Sequence, residues 1–234
     1  MHVTEQQGIC PATGWAAAAG EAVPPRTKMM SDGARKTLRF QVMRTADERS
    51  ALAGLRQHAA LTVEQDLGLE LAPFESRRDE IGIVGAIFLE ERLVATIRFV
   101  PTGYGMTGAE RLPGDLIPDK NILRPGSWEV GRLIMQPGDR HPELLARCLT
   151  LALQELIRLH EVRCFHGTTT LPMARLWRRF GMRTALTAIG SSGKPYALLF
   201  GKVSDVAAAL SVLESARAAP GDICYSAPAL RRMA

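Results

Sequence analysis

The chain has 234 residues, 46% hydrophobic and 23% charged, with a formal net charge of +5. That is enough apolar chain for one sizeable core, in globular rather than disordered or fibrous proportions, and no apolar run reaches the ~18 residues of a membrane-crossing helix. The basic residues are scattered, with pairs such as Arg77-Arg78, Arg178-Arg179 and Arg231-Arg232 and no interleaved aromatics, which argues against nucleic acid and leaves an acidic protein as the partner such a surface attracts.

Residues 1–35, with Ala16 to Ala19 and Pro24-Pro25, offer little to bury and read as a flexible tail. The strand signal begins at 38–43. TADERSALAGLRQHAAL (45–61) then reads as a helix, with Thr45 as cap and Glu48 three residues on, a capping-box spacing. IGIVGAIFLE (81–90) and LVATIRFVP (93–101) read as two strands joined by a charged turn around Glu90-Glu91-Arg92. Residues 102–126, rich in Gly and Pro, read as a long loop of the kind that carries function. SWEVGRLIM (127–135) is the next strand.

ELLARCLTLALQELIRLHE (143–161) repeats apolar residues at helical spacing, from Leu144 and Leu145 to Leu156. VRCFHGTTT (162–170) is a strand, and LPMARLWRRFGM (171–182) a short helix stopped by Gly181. Two strands, TALTAIG and KPYALLFGKV, turn at Gly190–Gly193. A helix at about 205–219, capped by Ser204 or Asp205, precedes a loose end after Pro220-Gly221. Strand, helix and strand over 127–170 require a parallel crossover, and the rest suits hairpins. The expected architecture is α/β, a mixed sheet with helices on both faces, as one domain over 36–204 followed by a C-terminal helix and tail over 205–234.

Cys10, Cys148, Cys164 and Cys224 form no Cys-x-x-Cys pair and no His–Cys metal spacing. They read as reduced thiols of a cytoplasmic protein without a metal site. No basic stretch followed by an apolar one opens the chain, so no secretory leader is expected.

Two groups of residues carry a family resemblance. TIRFVPT (96–102), followed after the Gly/Pro loop by WEVGRLIM (128–135), resembles the acyl-homoserine-lactone synthase pattern of a strand ending Arg-Leu-x-Pro-Thr and a later Glu-x-x-Arg strand. LRQHAALTVEQDLGLE (55–70), FESRRDE (74–80) and GTTTLPMARLWRRFGMR (167–183) resemble other segments of that family. The resemblance covers about 38–200. It implies a GNAT-like fold whose central sheet is splayed between two parallel strands.

The departures point within the group. Ala60 and Leu69 stand where lactone synthases have Phe and Trp, and Asp79 with Glu80 stands for an acidic pair. These positions shape an S-adenosylmethionine pocket in that family. Their loss makes the N-acyl amino acid synthases, which do not need the pocket, the closer match. The implied activity is transfer of a fatty acyl group from acyl carrier protein, or from acyl-CoA, to the amino group of an amino acid or related amine. The alternatives are an autoinducer synthase using S-adenosylmethionine, ordinary CoA-dependent acetylation, and a non-catalytic binding module.

Such a reaction needs an amine that loses its proton, a polarised carbonyl and a held donor arm. Glu129 is the candidate general base, acting through water, or else a strand carboxylate paired with Arg132. On a regular strand Glu129 and Arg132 face opposite sides, so a bulge near Gly131 is expected to bring them to one face and splay the strand from 163–169. Arg98, Arg56 and Asp79 are read as a charge network around the acceptor's carboxylate, or as a purely structural one. Thr168, Thr169 and Thr170 are candidates for hydrogen bonds to the donor arm, or simply strand formers.

Phe99, Trp128, Leu133 and Trp177 are candidates for an acyl-chain lining, with core packing as the plainer role of each. His166 reads as packed core rather than as a base. In QPGDRHPELLAR (136–147), Gly138 and Arg140 are candidates to meet a donor phosphate. Pro142 and Glu143 are poorly suited to a CoA diphosphate, because proline lacks an N–H and glutamate repels phosphate. No permanently bound cofactor is expected, only the acyl-phosphopantetheine donor.

Overall fold

The computed structural model describes residues 37–57 and 62–218, apart from the side chains of 62 and 212–218. The tails expected over 1–35 and after 220, with Cys10, Ala60 and Cys224, lie outside the described residues.

Among the described residues seven strands form one sheet in the order β1-β2-β3-β4-β5-β7-β6. They are β1 (Leu38–Val42), β2 (Ile83–Leu89), β3 (Arg92–Pro101), β4 (Ser127–Met135), β5 (Cys164–Thr170), β6 (Arg183–Ile189) and β7 (Pro195–Lys202). Every neighbouring pair is antiparallel except β4–β5. That parallel pair needs the crossover supplied by the 18-residue helix α6 (Pro142–Leu159).

Between β1 and β2 the described residues form four short α-helices, α1 (Ala46–Ser50), α2 (Ala53–Arg56), α3 (Thr62–Asp66) and α4 (Glu75–Ile81). The single helix expected from Thr45 is therefore broken. Its capping box forms between Thr45 and Glu48, but the helical run pauses at Ala51 and Leu52 before α2 begins. The loop over 102–126 is more ordered than its composition predicts. Thr107 and Glu110 form a second capping box at α5 (Gly108–Arg111). Glu110 accepts hydrogen bonds from the main-chain N–H groups of Gly103, Gly105, Met106 and Thr107. Burial raises its pKa, but these donors outweigh burial and hold the carboxyl below its usual range. Ile117 and Ile122 from the same segment pack on Cys164, Leu198 and Phe200.

α7 (Leu171–Arg178) follows β5 directly, and α8 (Val203–Ala218) begins one residue before Ser204 and two before Asp205, the expected caps. The apolar sides of α6, α7 and α8 meet one face of the sheet, around Ile97, Phe99, Trp128, Phe165 and Leu199. Each buried aromatic side chain here removes enough surface from water to contribute ~2–3 kcal/mol. α4 and α5 cover the other face, where Thr96, Arg98, Glu129 and His166 are buried. Among the described residues no helix is long and apolar enough to cross a membrane.

Candidate active site

The sheet opens in its middle. β4 pairs with β5 at Ser127↔Cys164, Trp128↔Phe165 and Glu129↔His166, and the pairing then stops. β5 continues along β7 to Thr170↔Tyr196, while β4 continues to Met135 along β3. Glycine sets the last close approach: a Cβ on Gly167 would stand 2.8 Å from the Val130 carbonyl oxygen.

The cause of the parting lies on β4. Thr96 pairs with Ile134 and Arg98 with Gly131, so β4 carries one extra residue across this step. Arg132 takes up the bulge at φ 50°, a left-handed value uncommon for arginine. Past the parting, Val130 to Leu133 and Thr168 to Thr170 are all half-buried. Among the described residues, the β5-facing edge of β4 there has no strand opposite it.

A charge network underlies this opening on the α4 face. Glu75, Arg78 and Asp79 stand at i, i+3 and i+4 on α4 and so share one side of it. Glu75 meets Arg98 at 3.0 Å, Arg132 at 2.8 Å and Arg78 at 2.8 Å. Asp79 meets Arg98 at 3.0 Å and also pairs with Arg56. Arg78, fully buried, also meets Glu64 at 3.0 Å and pairs with Glu129. Four carboxylates thus face four guanidinium groups. Burial raises the Glu75 carboxyl, but Arg98 and Arg132 outweigh it and bring the pKa to about 2. Glu64 is held above the usual range by burial. Arg78, which burial alone would lower, is pushed up by Glu129, Glu64 and Glu75.

The expected residues come together, but with different partners. The bulge does bring Glu129 and Arg132 to one face; Glu129 pairs with Arg78 and Arg132 with Glu75. Glu129 is 3% exposed. One of its oxygens takes Arg78 and the other accepts from the Gly108 N–H. The candidate base acting through water is thus, in the structure, an enclosed, ion-paired carboxylate. Arg98 and Asp79 join Arg56 as expected, but the inner acidic partner is Glu75. Glu80 instead pairs with Arg77 at the surface. Glu64, Glu75 and Arg78 were missed, although the helical spacing within FESRRDE was the signal that marked the last two.

Other expectations divide by depth. Phe99 and Trp128 lie in the core; Phe99 packs on the Phe165 ring at 6.4 Å, and the Trp128 N–H donates to the Glu161 carbonyl at 3.4 Å. Leu133 and Trp177 are half-buried at the margin of the same cluster. No side-chain hydrogen bond engages the hydroxyls of Thr168, Thr169 or Thr170 among the described residues. Arg140 is exposed, and its Nε donates to the Met135 carbonyl. His166 is fully buried, 2.9 Å from the Thr102 hydroxyl, with burial lowering its pKa to about 4, so it is neutral near pH 7. Burial raises the thiols of Cys164 and Cys148, the latter to about 12, so neither is a ready nucleophile.

At the start of α6, His141 caps the helix by accepting from the Glu143 N–H, and Pro142 contributes no N–H. Few main-chain donors therefore remain for a diphosphate. Two cavities lie outside the opening. One of about 100 Å³ lies among Leu153, Ile157, Phe165, Val206 and Leu210; one of about 180 Å³ is lined by Glu64, Gly68 and Leu71. Neither is lined by Glu129.

α3 is tied to the far hairpin by Asp66, which accepts from Ser191 Oγ (2.8 Å), Ser192 N (2.7 Å), Ser192 Oγ (2.5 Å) and Tyr196 OH (2.7 Å). These donors hold its carboxyl far below the usual range.

No protein-family model and no curated protein matches the sequence. Solved structures do match. FeeM, an N-acyl amino acid synthase from uncultured soil microbes, is 13% identical, with a TM-score of 0.58 over 77% of this chain and 98% of that one. TofI in an apo form is 18% identical, with a TM-score of 0.52 over 75% and 96%. A putative N-acetyltransferase from Lactobacillus plantarum is 15% identical, with a TM-score of 0.50 over 71% and 98%. At these identities the likeness is one of architecture, and the chain has the GNAT-like fold that the sequence resemblance implied.

Proposed function

We propose that the chain is an N-acyltransferase that moves an acyl group from a phosphopantetheine thioester to the amino group of an amino acid or related amine. The observation that carries this reading is the parting of β4 from β5 after Glu129 and His166, beside a bulge at Arg132. An extended arm laid in that opening meets a main-chain edge whose donors and acceptors have no strand partner. A main-chain N–H at the bulge then polarises the thioester carbonyl. The neutral amine attacks; the C–N bond forms, the C–S bond breaks, and the amine's proton leaves to the thiolate or to solvent.

Glu129 is better suited to positioning than to proton abstraction, since both of its oxygens are engaged. Arg132 holds the bulge through Glu75. The occupied start of α6 favours an acyl carrier protein over CoA as donor, because a carrier presents no diphosphate there. An autoinducer synthase is the second reading. It is favoured by Glu75, which restores beside Asp79 an acidic pair that Glu80 does not supply.

The test is to incubate the protein with acyl carrier thioester or acyl-CoA, and with either an amino-acid mixture or S-adenosylmethionine. Mass spectrometry of the products and a thiol-release assay follow. An N-acyl amino acid supports the first reading and a lactone the second. Absence of thiol release with every donor removes both and leaves a binding module.

A further inference from the structure

We infer that α3 is a tie across the parted sheet, and that Asp66 is the positioning residue that fixes how wide the opening stands. The effect on catalysis rests on the acyl-transfer reading; the tie itself does not.

Past Glu129 and His166 the sheet is two walls. One is β3 with β4, and the other is β5 with β7 and β6. Beyond the last pair no ladder bond fixes their separation. α3 lies against β5 and sends one carboxylate to each wall. Glu64 meets Arg78 at 3.0 Å, and Arg78 pairs with Glu129 on β4. Arg78 also meets Glu75, which holds Arg132 at the bulge. Two residues on, Asp66 accepts from Ser191 and Ser192 in the β6–β7 turn and from the Tyr196 hydroxyl on β7. Tyr196 stands opposite Thr170, the last residue of β5, so this clasp closes at the open end of the second wall.

The clasp is built for a fixed geometry. Both carboxylate oxygens are used, every donor is a hydroxyl or a main-chain N–H, and the Ser191 N–H also donates to the Asp66 carbonyl at 2.7 Å. Among the described residues no cation pairs with Asp66, so directional bonds rather than charge hold it. Residue 190 must be glycine here, because a Cβ would run into the Asp66 carboxylate and the Tyr196 ring. The chain that follows α3 is seated by Leu69 and Leu71, both buried. A Cβ on Gly108 would touch Glu129 at 3.2 Å and Leu69 and Thr168 at 3.3 Å, so Leu69 sits where the walls separate. A tie between the walls matters for transfer because a displacement of about 1 Å at the reacting carbon costs on the order of 100-fold in rate.

The experiment measures the distance across the opening by electron spin resonance. Spin labels are placed on the full chain at Gly138→Cys, after β4, and at Met173→Cys, on α7 after β5; Cys10 and Cys224 are replaced by serine. The backgrounds are wild type, Asp66→Ala, Asp66→Asn, Glu64→Ala, Glu64→Ala/Asp66→Ala, and Arg183→Gln, which removes only the β6 ion pair to Asp119. The expected result is a longer and broader distance distribution in Asp66→Ala, with Asp66→Asn and Arg183→Gln close to wild type. The double variant should shift no further than the larger single, because the two carboxylates act in series, whereas independent structural roles add. With acyl-pantetheine and amine, kcat should fall at least about tenfold in Asp66→Ala, with KM for the amine little changed and activity restored in Asp66→Asn. Should Asp66→Ala not fold, Ser191→Ala/Ser192→Ala removes the turn's hydroxyl donors, keeps the Ser192 N–H bond, and is expected to widen the opening to a lesser degree.

An unchanged distribution in these variants, an equal shift in Arg183→Gln, or additive shifts in the double variant overturns the tie. So does lowered stability in urea with the distance unchanged, which makes the clasp merely structural. A widened opening with wild-type kcat overturns the positioning role. If the wild type consumes no thioester, acyl transfer falls, yet the distance comparison still decides the tie. If thioester is consumed and Asp66→Ala keeps the wild-type distance, acyl transfer stands and the tie falls.

Discussion

The two faces of the sheet are built on opposite physics. The face under α6, α7 and α8 is apolar, with Phe99, Phe165 and Leu199 packed among helix side chains. The face under α4 buries Arg78, Arg98 and Glu129 in a charge-balanced network. Apolar packing is non-directional and loses stability in proportion to what is removed. A buried ionic network gives little net stability when complete, yet loses much when one partner goes. The opening between β4 and β5 lies where these faces meet, so one face positions by directional bonds while the other supplies bulk stability.

The largest expected effect is on the ionic face. Arg78→Met leaves Glu64, Glu75 and Glu129 with an unbalanced buried charge and is expected to lower stability by ~3–5 kcal/mol in urea unfolding. A change below about 1 kcal/mol would mean that the network is open to water and the contrast between the faces is lost.

Acid comes next. The neutral His166 contributes stability that is fully present above the unfolded pKa of 6.5 and is lost as pH falls towards its folded pKa of about 4. That window corresponds to about 3 kcal/mol. Glu75, lowered from 4.5 to about 2, extends the loss over the window below it. Glu64, raised by burial, works in the opposite direction. Stability followed from pH 7 to 4 should fall, and His166→Gln should flatten the curve above pH 4.5. An unchanged slope in that variant would remove His166 as the cause.

Glu129→Gln separates positioning from proton abstraction. It keeps the shape and the contact with the Gly108 N–H but drops the charge opposite Arg78. A loss of about 1–2 kcal/mol in stability is expected, with less than about tenfold in kcat and a pH–rate profile that still follows the amine's own ionisation. A fall of about 100-fold or more, with a profile that loses an inflection, would restore Glu129 as a general base. The smallest effect belongs to the apolar face. Phe165→Leu should reduce stability by about 1 kcal/mol, because neighbouring side chains partly fill the space. A loss as large as that of Arg78→Met would erase the difference between the faces.

Much of the scaffold was legible in the chain. The capping box at Thr45, the period of α6, the strands and the crossover all follow from patterns within about 20 residues, where local geometry decides. The break in the first helix and the order in 102–126 were not legible. Glu110 gathers four main-chain donors there, a role that composition does not reveal. Within the network, residue types and positions were readable at Arg56, Asp79, Arg98, Glu129 and Arg132, whereas their pairing was not.

By itself the sequence determined the order of the strands, the parallel crossover and the need for a bulge between Glu129 and Arg132, because side-chain direction follows from period alone. Only the tertiary structure decided that Arg78 takes Glu129 and that Glu75 rather than Glu80 faces inward. Ion pairs join residues distant in sequence, such as Arg78 and Glu129, and their choice of partner depends on which faces of separate elements the packing brings together.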